Sequence, residues 1–329
     1  MKIFIKREQL VATVTDFYLD TIAEALCQAG HSVTASYEWD GLAGCDMAVI
    51  IAATRAPKLW KAKIPYIYWS QGVWPEESRM RGASYPKYLL QSALERLALK
   101  KARYVFFISH VMKRHYEKKY RLNFEGRHYI MPCANEQLQQ QAFHTPGKYE
   151  NNVFCYAGGL SAWQCFEQTV ALYAQLEKQL PNAKLLLLVK DRELALQTLQ
   201  KYGVKNYSID YVAKEALPQV LSTVKFGFVL RQPSPVNAVA TPTKVITYLA
   251  AGMIPIYSGC LESVDEILAG CAHCVKLDNE NDLNPILEMT QRQLTAEEVY
   301  KDFETICRQH YHRQKHIDGI RRDLQAKLS

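Results

Sequence analysis

Neither a Gly-x-Gly-x-x-Gly run nor a Gly-x-x-x-x-Gly-Lys-Ser/Thr run occurs in the 329 residues. The glycine-rich phosphate cradles of dinucleotide-binding and P-loop proteins are therefore absent. No apolar run approaches the roughly 18 residues of a membrane-spanning helix; "MAVIIAA" and "LLLLV" have the length of single strands. The amino-terminal MKIFIKREQL lacks an apolar core of signal-peptide length, and with nine cysteines this implies a reducing, cytoplasmic setting. A single Cys-x-x-Cys pair occurs, Cys271-Ala-His-Cys274. Without a second pair at zinc spacing, these thiols read first as buried groups in or beside a strand, with metal or redox chemistry the lesser alternative. No Asp-x-Asp closes a strand, and "DNEND" (278–282) reads as a solvated loop. Nothing visible requires a metal.

What is present is size, basic charge and alternation. A 329-residue chain with 48% apolar residues exceeds one ordinary core, so two domains are expected. Of the net charge of +7, all lies in the first half: residues 1–150 hold 21 Lys+Arg and 14 Asp+Glu, leaving 19 of each for the rest. The excess concentrates at Arg96, Lys100, Lys101, Arg103, Lys113, Arg114, Lys118, Lys119 and Arg121, opposed by Glu117 alone. Such a run is either a solvated face or a handle for an anionic partner, with a membrane surface, phosphate and nucleic acid the classes to separate. Nucleic acid is not expected, because Phe106 and Phe107 fall inside an apparent core strand and leave no stacking platform.

Strand-like runs at 2–5, 32–37, 46–51, 65–69, 104–109 and 128–131 alternate with helical patterns. The helix expected over 16–29 puts Leu19, Ile22, Ala23 and Leu26 on one face and stops at Gly30; that over 86–101 puts Leu90, Ala93, Leu94 and Leu97 on its inward face. The polar stretch 134–152 reads as a linker about which two domains could close. Strand-like runs then resume at 153–157, 184–189, 206–209, 226–230, 254–257 and 273–277, and a helical stretch over 295–328 follows with no strand after it. The pattern predicts two doubly wound parallel α/β domains, 1–145 and 150–294, with 295–329 a helical segment returning to the first.

Ligands of such sheets sit beyond the carboxyl ends of the strands. In the second domain those positions are Gly158-Gly159, Lys190, Arg231 and the approach to Pro242. Gly158-Gly159 allows close backbone approach, although a tight turn uses the same pair. The segment VNAVATPTKVITYLAAGMIPI (236–256) contains no acidic residue. Thr241 reads as an N-cap, Pro242 as the first helical residue, and Ile246, Leu249 and Ala250 as an inward stripe ended by Gly252. Lysine in a first turn opposes the helix dipole by about 0.3–1 kcal/mol. An anion held by the helix N–H groups, Lys244 and Arg231 removes that conflict; otherwise Lys244 extends into solvent and Arg231 forms a structural ion pair.

The runs YVFFISHVMKRHYEKKY, IMPCANE, YAGGLSAWQ, LLLLVKD, GFVLRQPSPVN and PTKVITYLAAG, within 103–257, resemble the family 4 type of GT-B-fold glycosyltransferase, particularly those of bacterial capsule, O-antigen or exopolysaccharide assembly. The resemblance implies two Rossmann-like domains facing a central cleft and a final helix. It further implies retaining transfer from a nucleotide-diphosphate sugar, UDP- or GDP-linked, to a glycan or lipid-linked acceptor, without cofactor or metal. The family's two glutamates eight residues apart are replaced by Val239 and Thr247, and its diphosphate-binding Arg and Lys by Gly159 and Gln164. Arg231 and Lys244 are then the expected catalytic cations, with Gly158, Gly159, Lys190, Asn237, Thr241, Thr243 and Tyr248 on the donor side. In the first domain the resemblance puts acceptor contacts at Gln71, Gly72, Glu76 and Glu77, with Trp69 and Trp74 as apolar sugar platforms; Ser109 and His110 close strand 104–109 on the acceptor side, where a single histidine reads equally as structural or catalytic. An ordinary helix start at Pro75-Glu76-Glu77 is the competing reading. A nucleotide-sugar epimerase and an inactive nucleotide-sugar-binding partner are the functional alternatives. The basic cluster points to peripheral docking on the inner face of an anionic membrane.

Overall fold

A computed structural model describes residues 1–9, 13–134, 136–160, 162–213 and 215–328. The apolar runs form two six-stranded, all-parallel sheets. The first contains β1 (Lys2–Lys6), β2 (Ser32–Ser36), β3 (Met47–Ile50), β4 (Tyr66–Ser70), β5 (Tyr104–Phe107) and β6 (His128–Ile130), in the order β2-β1-β3-β4-β5-β6. The second contains β7 (Val153–Ala157), β8 (Lys184–Leu188), β9 (Tyr207–Asp210), β10 (Phe226–Val229), β11 (Ile254–Ser258) and β12 (Val275–Leu277), in the order β12-β11-β10-β7-β8-β9. Parallel strands covered on both faces need apolar side chains on both, which explains why β3, β4, β5 and β10 are buried along their whole length.

Each sheet has its own core. In the first, Ile3, Ile5, Val49, Ile67, Trp69 and Phe106 meet Leu19, Ile22 and Leu26 of the helix Thr13–Gln28 and Ile317, Ile320 and Leu324 of the helix Arg313–Leu328. In the second, Phe154 stacks on Phe226 at 4.8 Å, and Val170, Tyr173 and Leu176 of the helix Phe166–Gln179 cover the sheet.

The chain divides into a unit of Met1–Asn135, Ala238–Thr241 and His310–Ser329 and a unit of Glu136–Asn237 and Pro242–Gln309. The boundary thus precedes the 145–150 interval, and most of 134–152 is pinned rather than a free linker. Gln139 N–H donates to Ala250 O at 2.9 Å, and Tyr149 OH to Gly252 O at 2.9 Å. The Lys148 ammonium donates to the carbonyls of Ser222 (2.9 Å) and Ala251 (2.5 Å), at the ends of two helices. Residues 296–306 stay with the second unit because Phe143 packs edge-on against Tyr300 and Phe303.

The helix Tyr85–Lys101 is turned the other way from its expected orientation. Leu90, Ala93 and Leu97 face solvent, while Gln91, Glu95, Ala98 and Leu99 are buried. The buried polar groups find partners there: Glu95 accepts from Tyr116 OH at 3.1 Å and Tyr120 OH at 2.6 Å.

Candidate functional site

Numbered within its own unit, the second sheet runs 6-5-4-1-2-3, the doubly wound order whose connections reverse direction between first and fourth strands. The reversal lies between β7 and β10, where Phe226 pairs with Phe154 and Gly227 with Cys155. Continuing that register beyond the strands brings Arg231 level with Gly159. Gly158 has φ +132, a backbone that only glycine adopts easily, and a Cβ there would lie 2.8 Å from Lys244 Cε. Glycine therefore lets the lysine chain cross the end of β7.

Arg231 is only 7% exposed. Its N–H donates to Ser258 Oγ at 2.9 Å and its own Nη1 to Leu230 O at 2.7 Å. Lys244 Nζ donates to Gln164 Oε1 at 2.6 Å and lies 4.2 Å from the Tyr156 ring centroid. Burial, reinforced by the nearby Arg231 charge, pushes the Lys244 ammonium down to about 7; burial also lowers the Arg231 pKa. Among the described residues no carboxylate forms an ion pair with either group. Two desolvated basic groups therefore lie beside a helix start without a side-chain cap bond, an arrangement whose charge is uncompensated within the described residues.

The helix is Thr243–Ala250, with Pro242 as its cap residue and no side-chain cap bond. Thr241 does not cap it. Its Oγ1 instead accepts from Cys133 N–H at 3.2 Å, in the first unit. Pro242, whose ψ is 130, is extended, so the helix starts one residue later than the sequence suggests. Thr243 opens that helix half-buried. Tyr248 sits behind the site, fully buried: its ring covers Gly227, and its OH accepts from Ala157 N–H at 3.2 Å. It holds the end of β7 rather than a ligand. Asn237 is buried and closes its own loop, donating Nδ2–H to Gln232 O at 2.8 Å and its backbone N–H to Ser234 Oγ. Lys190 is exposed after β8. Gly159 is also exposed, its carbonyl accepting from Tyr156 OH at 2.5 Å.

Gln164, Tyr156, Ser258 and Glu280 were not read as site residues from the sequence. Ser258 Oγ, which accepts from Arg231 N–H, donates to Glu280 Oε1 at 3.1 Å. Part of the apparently solvated 278–282 loop thereby comes to the sheet edge. Sequence separation hides such partners: Gln164 and Lys244 are 80 residues apart.

In the first unit the direction reverses between β1 and β3. A cavity of about 390 Å³ lies there, lined by Glu8 after β1, Ala52 and Thr54 after β3, and Gln71, Gly72, Trp74 and Glu77 after β4. Glu8 is held by Arg55 through bonds of 2.7 and 2.6 Å. Burial raises the Glu77 pKa, with Arg81 3.7 Å away opposing it. Glu76 instead pairs with Lys119 at 2.6 Å and lies 3.5 Å from His115. Trp69 is fully buried, edge-on to Tyr18, and offers no sugar platform; Trp74 lines the cavity. Ser109 is the N-cap of the helix His110–Tyr120, accepting from Met112 N–H at 3.0 Å and donating to Val239 O at 2.9 Å. His110 is exposed in the first turn of that helix. Cys271 and Cys274 are half-buried rather than buried, and their thiols donate to Asp302 Oδ2 and to Cys271 O.

No protein-family model and no curated protein matches the chain. Solved structures do. Sucrose-phosphate synthase from Thermosynechococcus elongatus is 14% identical, with a TM-score of 0.73 over 100% of this chain and 99% of that one. HepE of Anabaena, solved with UDP-glucose, is 13% identical, with a TM-score of 0.67 over 99% and 100%. A glycosyltransferase from Rickettsia africae is 11% identical, with a TM-score of 0.65 over 99% and 96%. The chain has the GT-B fold of these structures, two doubly wound Rossmann-like domains with a C-terminal helix.

Proposed function

We propose that the chain is a glycosyltransferase that moves a sugar from a nucleoside-diphosphate sugar, UDP- or GDP-linked, to a hydroxyl of a glycan or lipid-linked acceptor. The observation that carries this reading is the pair of desolvated cations, Arg231 and Lys244, gathered at the direction reversal of the second sheet beside an uncapped helix start. A diphosphate supplies the two negative charges that such a pair lacks. HepE solved with UDP-glucose adds support from the same fold.

In this reading the cations hold the diphosphate and stabilise the charge that develops as it leaves the anomeric carbon. Retention of configuration, with the acceptor hydroxyl entering on the face the diphosphate leaves, follows from the family resemblance. Arg231 and Lys244 supply this charge stabilisation without a metal. Gly158 gives the phosphates backbone access, and Glu280, bonded to Ser258, is the carboxylate nearest Arg231 in the hydrogen-bond network, suited to accept from donor hydroxyls. The cavity at Gln71, Gly72, Trp74 and Glu77 offers an apolar wall and polar edge groups for an acceptor glycan. Surface-polysaccharide assembly at the inner face of a membrane is the setting the resemblance and the basic cluster favour.

A thermal-shift screen across UDP-, GDP-, CMP- and dTDP-sugars tests the donor site. One diphosphate class is expected to stabilise the protein, and Arg231→Ala or Lys244→Ala to remove the shift. Turnover of each variant is expected to fall by roughly a hundredfold or more. Unchanged stabilisation in both variants would move the donor site elsewhere.

A further inference from the structure

The helix Tyr85–Lys101 presents its leucines outward: Leu90 is 73% exposed, Leu89 50% and Leu97 37%. With Ala93 they share one face at helical spacing, and Tyr85 stands 60% exposed at the start of the helix. Its opposite face carries Gln91 and Glu95, which a folded monomer would ordinarily turn to water. The inversion is built in, because Glu95 is held by Tyr116 and Tyr120, with Lys119 3.8 Å away. Lys87, Arg96, Lys100 and Lys101 are exposed around the leucines, and the only carboxylate between Tyr85 and Lys101 is the buried Glu95. Arg103, Lys118 and Arg121 add further exposed cations.

We propose that this helix lies in the surface of an anionic lipid bilayer, with Leu89, Leu90 and Leu97 entering the acyl boundary and the surrounding Lys and Arg side chains meeting headgroup phosphates. The inference rests on the membrane docking read from the basic cluster and turns it from surface attraction into shallow insertion. An apolar stripe flanked on its own helix by exposed cations and no exposed carboxylate has the chemistry of interfacial helices. Among the described residues no helix is long and apolar enough to cross a membrane. A second copy of the chain is disfavoured as occupant, since a two-fold contact would set the same lysines and arginines against each other.

Flotation with vesicles of phosphatidylcholine alone and of phosphatidylcholine with phosphatidylglycerol tests this. The parent should bind only the anionic vesicles. A Leu89→Ser/Leu90→Ser/Leu97→Ser variant should lose roughly tenfold or more in partitioning, while its circular dichroism, thermal midpoint and nucleotide-sugar stabilisation stay unchanged. Lys87→Glu/Lys100→Glu should weaken binding and its salt dependence, and Leu90→Trp emission should be quenched by acyl-chain-brominated lipid. Parent-like partitioning of the serine variant overturns insertion. Self-association in sedimentation velocity that the serine variant abolishes, without vesicle binding by the parent, assigns the face to a second copy and also overturns it. Vesicle binding without stabilisation by any nucleotide sugar would instead sink the transferase reading.

Discussion

Lys244 has its ammonium displaced to about 7, first by burial and then by Arg231. In the unliganded protein this costs stability at neutral pH. The folded state holds fewer protons than the unfolded chain between about pH 7 and the ordinary lysine value of 10.5, so this group makes stability rise with pH across that window. When a diphosphate binds, Lys244 takes up a proton and regains its charge, so affinity should fall as pH rises above about 7, by up to tenfold per pH unit. A nucleotide sugar has no phosphate titrating there, which isolates the lysine. Calorimetric titrations between pH 6.5 and 8.5, in buffers of different ionisation enthalpy, should show this uptake, and Lys244→Met should abolish it. A pH-independent affinity would separate Lys244 from the diphosphate. The sequence placed Lys244 and Arg231 in the same region through strand ends and a helix start; their desolvation and the Gln164 bond come from residues remote in the chain.

Short elements here are fixed by their ends. Ser109 begins the helix His110–Tyr120 by accepting from Met112 N–H, and its hydroxyl proton goes to Val239 O, tying segment 238–241 to the first unit. Ser109→Ala removes both bonds and should cost about 1–2 kcal/mol. Urea unfolding monitored on the first unit measures it; a loss below 0.3 kcal/mol would show the cap to be dispensable. The central strands were legible because a doubly covered parallel strand must be apolar throughout. The facing of Tyr85–Lys101 was not. Leucines at helical spacing look the same whether they meet a core or a bilayer; the Tyr116 and Tyr120 hydroxyls around Glu95, with Ala98 and Leu99 fully buried beside it, mark which side is in.

At the scale of the whole chain, the last helix completes the first unit. Ile317, Ile320 and Leu324 enter its core, and Arg313 pairs with Glu24 at 2.7 Å and reaches Thr21 Oγ1 at 3.1 Å. Burying three such side chains stabilises by roughly 5–9 kcal/mol, comparable with the net stability of a domain. Deleting residues 310–329 should therefore unfold the first unit and spare the second, whose core contains none of them. Limited proteolysis should degrade the first unit while a fragment of the second survives and retains the nucleotide-sugar shift. Full protection of the first unit in the truncated chain would refute this. The crossover between the units falls inside the linker expected over 134–152, but Phe143, Lys148 and Tyr149 are buried in the second unit, so most of that stretch belongs to its core.

The sequence by itself determined the twelve strands and their alternation with helices, the two parallel sheets and the strand ends to inspect, because apolar periodicity and helix-start chemistry act over a few neighbouring residues. Tertiary structure decided the rest. It set which face of a helix is inward, that Tyr248 and Trp69 are core, that Thr241 and Ser109 are structural hydroxyls, and that Glu280 comes to the Arg231 edge. These depend on desolvation and on partners brought together across tens of residues, which local pattern does not encode.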